Sequence, residues 1–163
     1  MDIRKIFEYA LQREHEGRRF FADNAERMTH AVVSDVFRKL AAEEETHIDF
    51  IQSQIEALDK GKPGAAEVGV KLSAEGFFSQ RAASEMLDQT VIEAMVPELP
   101  VLRTAFLIER DFAEYYETSA AAAEGEARKV LTMLAHWERG HEKLFKELHD
   151  RAFAEYSGMP WGG

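Results

Sequence analysis

The chain contains no cysteine, which excludes a disulfide framework and any zinc or iron–sulfur site held by thiolates. Only four prolines and ten glycines occur in 163 residues, most of them clustered, so long segments run without a helix breaker. Basic residues are in deficit, 20 against 30 acidic, for a formal net charge of −10 and a pI near 5.1. General electrostatics therefore oppose binding to nucleic acid or to an anionic membrane surface and favour small cations. No stretch approaches the roughly 18 consecutive apolar residues of a membrane span. The opening MDIRKIFEYALQREHEG lacks the apolar run of a signal peptide, and a cytoplasmic protein is expected.

What is present is helical periodicity. Hydrophobic residues make up 45% of the chain and charged residues 31%, ordinary for one globular domain of this length. Apolar or small residues at Ile3, Phe7, Ala10, Gly17, Phe21, Ala25 and Met28 follow a 3.6-residue period and predict a first helix over about 2–28. Thr29 is placed to cap a second, whose stripe runs through Val33, Val36, Phe37, Leu40, Ile51, Ile55 and Leu58 before KGKPGA ends it. Residues 65–100 read as a connector: AAEVGVKLSAEGFFSQ has no sustained period, and ASEMLDQTVIEAM suits a short helix. A third helix begins near Pro100 and carries Leu102, Phe106, Phe112 and Tyr116; a fourth carries Val130, Leu131, Leu134, Phe145, Leu148 and Ala152. The architecture implied is all-α: a four-helix bundle over 1–156 with one long crossover between helices two and three, and a surface tail at 157–163.

Ionisable residues occupy places on these stripes where a Leu or Ile should fall. In the first helix it is Glu14, in the second Glu44 and His47, in the third Glu109, in the fourth Glu138 and His141. Glu43 and Glu45 are expected to point away from the seam, and His15, His30, His136 and His149 to lie at the surface. The order repeats: Glu14 then Glu44-x-x-His47, and Glu109 then Glu138-x-x-His141, offset by 94 or 95 positions throughout. The doublets Phe20-Phe21 and Tyr115-Tyr116 share the offset, so a duplicated two-helix unit is the economical reading. Four unpaired buried carboxylates would each cost several kcal/mol, more than a domain's stability can absorb. Two divalent cations would neutralise them, with each imidazole adding a neutral nitrogen ligand, since i, i+3 spacing sets Glu and His on one helix face. A buried hydrogen-bonded network is the competing, less favoured explanation. Tyr116 either donates to a ligand carboxylate from behind or is a core tyrosine with its hydroxyl at the rim.

EHEGRRFF opening into LAAEEETH, and ERDFAEYY opening into LAHWERGH, resemble the rubrerythrin branch of the ferritin-like superfamily over about residues 5–59 and 100–150. The resemblance implies that Glu14, Glu44, His47, Glu109, Glu138 and His141 bind a di-iron centre reacting with hydrogen peroxide or dioxygen; Glu44 and Glu138 would bridge or cap the metals. Manganese or zinc would also suit imidazole and carboxylate ligands. Two departures stand out. The four-cysteine rubredoxin site of full-length rubrerythrins is absent, so an external electron donor such as a rubredoxin or flavoprotein is expected. Phe112 stands where many members carry a further carboxylate, which makes the site more symmetric and closer to that of bacterioferritin. The expectation is a non-haem di-iron oxidoreductase, with a homodimer as its assembly and no nucleic-acid or membrane partner. The alternatives are an iron-handling protein for which iron is substrate, and a bundle whose metal is structural.

Overall fold

A computed structural model describes residues 2–62, 64–84 and 88–160. Two long helices, α1 (Ile3–Arg27) and α2 (Ala31–Asp59), come first; three short ones follow, α3 (Ala66–Glu75), α4 (Phe78–Ser84) and α5 (Gln89–Met95). A 3-10 turn (Val96–Glu98) leads into α6 (Leu99–Ala122) and then α7 (Gly125–Gly158). No strand occurs among the described residues.

Short links force antiparallel pairs. Arg18 of α1 meets Glu45 of α2 and Arg38 meets Glu26, while Arg110 of α6 reaches Glu142 of α7 and Arg139 reaches Glu117. Contacts of Tyr115 with Tyr9 and Ile6, and of Phe112 with Gly17, set α6 antiparallel to α1. Helix α2 therefore ends beside the start of α1, with Arg4 bonded to Asp59, and α6 begins at the opposite end. The connector has to travel the length of the bundle, as its 35-odd residues allow, and on the way it packs against α7 and α2.

Three expectations are modified. Most of the connector is helical rather than irregular. Its expected short helix is realised in part as α5, the stretch 85–87 lying outside the described residues, as do Pro63 and the tail residues 161–163. Helix α7 runs two residues past 156, with exposed Met159 and Pro160 following. Thr29 does not cap α2: its N-cap is His30, without a side-chain bond, and the turn is held instead by the Ser34 hydroxyl donating to the Ala25 carbonyl at 2.8 Å.

The apolar core falls into two clusters at opposite ends. One gathers Phe21, Phe37, Leu40, Met95, Leu102 and Phe145; the other gathers Phe7, Phe50, Ile51, Phe112, Leu131 and Trp137. On each long helix the predicted ionisable positions lie between the two.

Candidate metal centre

All six candidate ligands are at most 1% exposed, and the bundle brings them together. Their donor atoms form two overlapping groups, each within 4.8 Å: Glu14, Glu44, His47 and Glu138 in one, Glu44, Glu109, Glu138 and His141 in the other. Glu44 and Glu138 belong to both, the place bridging carboxylates would take. The imidazoles enter through Nδ1. That of His47 lies 2.8 Å from Glu138 Oε1 and 3.3 Å from Glu14 Oε2, and that of His141 lies 2.9 Å from Glu44 Oε1 and 3.6 Å from Glu109 Oε2. The rings stack with centroids 5.3 Å apart.

Packing this much charge together perturbs every member that shifts. Burial, reinforced by the Glu44 charge and opposed by His47, pushes Glu14 up to about 8. Burial and the Glu14 charge raise Glu138 well above the carboxylate range. Burial acts the same way on Glu44, but the adjoining His47 and His141 outweigh it and hold that carboxyl low. Both imidazoles are raised despite burial, His47 chiefly by Glu138 and Glu44, His141 by Glu109, Glu43 and Glu44. Without ions, the cluster balances itself by keeping protons on its imidazoles and on some of its carboxyls.

The donor set fits two divalent ions on the test of unmet valence. Both carboxylate oxygens of Glu44, Glu109 and Glu138, together with His141 Nδ1, are buried without a hydrogen-bond partner among the described residues. Such atoms are rare in folded proteins and call for a partner. Oxygen-rich, imidazole-bearing and thiolate-free, the set suits iron, manganese or zinc.

The residues behind the ligands were only partly foreseen. Tyr116 is buried and its hydroxyl donates to Glu14 Oε1; burial and the Glu14 charge raise its pKa well above the phenol range, so it remains a donor. Glu43, expected to face solvent, is instead 6% exposed. Its Oε2 accepts from His141 Nε2 at 2.8 Å and its Oε1 from the Ser79 amide of α4 at 2.9 Å; these partners hold its carboxyl low against the effect of burial. The reason is that α2 is covered on a second side by the connector, which a single apolar stripe does not reveal. Also missed were Trp137, stacked on His47 at 5.1 Å and donating to Ser73 at 3.0 Å, and Phe77, edge-on to His47 at 5.7 Å. A signal for Glu43 existed: the 94-residue offset pairs it with Trp137, and a position that is aromatic in one copy tends to be buried in both.

The remaining histidines and Glu45 stand apart from both donor groups. Glu45 is exposed and ion-paired with Arg18; His30 and His136 are exposed, while His15 and His149 are half-buried and outside both donor groups. Phe112 is buried against Gly17, whose missing side chain leaves room for both the ring and Glu44, and the Arg13 guanidinium covers its face at 4.4 Å.

Comparison with known proteins bears on the same residues. No curated protein and no solved structure matched the chain. The rubrerythrin family model matches residues 5–99, a stretch holding Glu14, Glu44 and His47; the structure adds Glu109, Glu138 and His141 from the duplicated half. With over half its length matched, this chain belongs to the rubrerythrin family.

Proposed function

We propose that the protein is a non-haem di-iron oxidoreductase that reduces hydrogen peroxide or dioxygen with electrons from an external donor. The observation carrying this reading is the convergence of four buried carboxylates and two imidazoles, in which both oxygens of Glu44, Glu109 and Glu138 and Nδ1 of His141 have no hydrogen-bond partner among the described residues. Glu14 and His47 would hold one ion, Glu109 and His141 the other, with Glu44 and Glu138 between them. Bound there in the ferrous state, such a pair would supply the two electrons that, with two protons from solvent, reduce peroxide to two waters.

The chain's own residues position and insulate. Glu14 Oε1 is held by the Tyr116 hydroxyl while Oε2 faces His47. The His141 ring is fixed by donating Nε2–H to Glu43, which leaves Nδ1 free to ligate. Trp137, Phe77, Phe112 and Tyr116 wall the centre with apolar surface, excluding water that would quench or divert the reaction.

Resident ions fit these surroundings better than iron in transit. The ligands are sealed from solvent, and the cavities beside Glu43 and Phe77 and beside Gly17 and Phe112 are of mixed charge, Lys39 and Arg81 with Glu43 and Glu75 in one, Arg13 with Glu16 and Asp111 in the other. Neither is the uniformly acidic channel expected of a path for ferrous iron. The test is anaerobic loading with ferrous iron followed by repeated additions of peroxide and reductant. Two irons per chain should oxidise at one peroxide per pair, stay bound through desalting and return to the ferrous state each cycle. Accumulation of many irons per chain would favour iron handling, and no oxidation would leave a structural metal.

A further inference from the structure

The duplication that generates the centre is broken behind the ligands, twice. The residue before each Glu-x-x-His is Glu43 in one half and Trp137 in the other, 94 positions apart, and each lies against the histidine of the opposite half. Glu43 accepts the His141 Nε2–H at 2.8 Å and is itself fixed by the Ser79 amide. Trp137 presents a ring face to His47, at 5.1 Å and 22°, and His47 Nε2 is left buried without a hydrogen-bond partner among the described residues. The second break is Tyr116, whose counterpart 95 positions earlier is Phe21. Tyr116 donates to Glu14; Phe21, stacked on Phe145, has no hydroxyl to offer Glu109.

The two differences support opposite positions, and the charged one is the stronger. A carboxylate accepting the outer N–H of an imidazole fixes its tautomer and rotation and makes the inner nitrogen a stronger donor, an effect typically of about 10–100-fold in metal affinity. His141 has that support and His47 does not. Tyr116 holds Glu14 through Oε1 and leaves Oε2 toward His47, but this is a neutral hydroxyl orienting a carboxylate, a weaker support than a charged carboxylate behind an imidazole. We infer that the two metal positions are built unequal: the His141–Glu109 position binds a divalent ion more tightly and fills first, while the His47–Glu14 position holds the weaker, more readily exchanged ion. Glu43 is the positioning residue that sets the difference. The inference rests on the reading of the six residues as a two-ion site.

Calorimetric titration of the metal-free full chain with cobalt(II), a divalent probe with a visible spectrum, tests it. The wild type should bind two ions in two steps, and Glu43→Gln, which keeps the shape and removes the charge, should weaken the first step about 10–100-fold while leaving the second within about twofold. Tyr116→Phe, which removes a support of Glu14 alone, should move only the second step, weakening it. If the positions were equal, the first ion would go to the undamaged position in Glu43→Gln, so the first step would hardly change and the second would weaken. That result overturns the inference, as do equal weakening of both steps, the mark of a general structural role, and no change in either. Failure of the wild type to bind two ions would instead remove the two-ion reading beneath it.

Discussion

Glu14 shows how one residue's environment becomes a property of the folded protein. Its carboxyl is raised to about 8 in the metal-free chain, above its unfolded value near 4.5, so between those values the folded state binds more protons than the unfolded state and stability falls as pH rises. Glu138, raised likewise, and His47 and His141, raised above 6.5, act with the same sign. Glu43 and Glu44, held low, stabilise above about pH 4.5 and change nothing further near neutrality. The melting temperature of the metal-free protein should therefore drop on the order of 5 °C or more between pH 6 and 8.5; scanning calorimetry in chelator-treated buffer measures it, and a flat or rising profile contradicts the assignment. At this scale the sequence was informative where a charge interrupts an apolar stripe, which marked all six cluster members. For Glu43 the apolar stripe gave no sign and only the offset from Trp137 did, because whether a residue beside the stripe is buried depends on what packs over it, and the covering amide belongs to Ser79, 36 residues away.

Among the elements, α3 explains why the connector reads as irregular. It buries only Ala66 and Gly69, too few positions to show a period, because its role is close approach rather than a thick apolar face. A Cβ at Gly69 would lie 2.8 Å from Phe50 Cζ and 2.7 Å from Met133 Sδ. The thioether can swing away, but the Phe50 ring, 1% exposed and packed on Trp137, cannot do so without disturbing the wall beside His47. Gly69→Ala should therefore destabilise by about 1–3 kcal/mol, a fall of roughly 2–10 °C in melting temperature, visible by circular dichroism. An unchanged melting point would mean that the connector sits less tightly than described. The long helices were legible for the opposite reason, each burying a stripe of seven or more residues. The crossover topology followed from one number, a connector long enough to return along the bundle.

Over the whole molecule, two antiparallel helix pairs meet at a layer of charge between two apolar clusters. Each pair contributes a Glu and a Glu-x-x-His, so neither half holds a complete donor group: the first group takes Glu138 from α7 and the second takes Glu44 from α2. The duplicated pattern exposed this pairing in the sequence, whereas the asymmetry behind it became visible only once Glu43 and Trp137 were placed against opposite histidines. The central claim is that the layer exists to hold two ions. Anomalous diffraction at the iron edge, from crystals of protein loaded anaerobically with ferrous iron, tests it most directly. Two peaks are expected within the cluster, each beside one imidazole Nδ1 and both between Glu44 and Glu138. A single peak elsewhere, or none at the layer in protein that remains folded, would contradict the account.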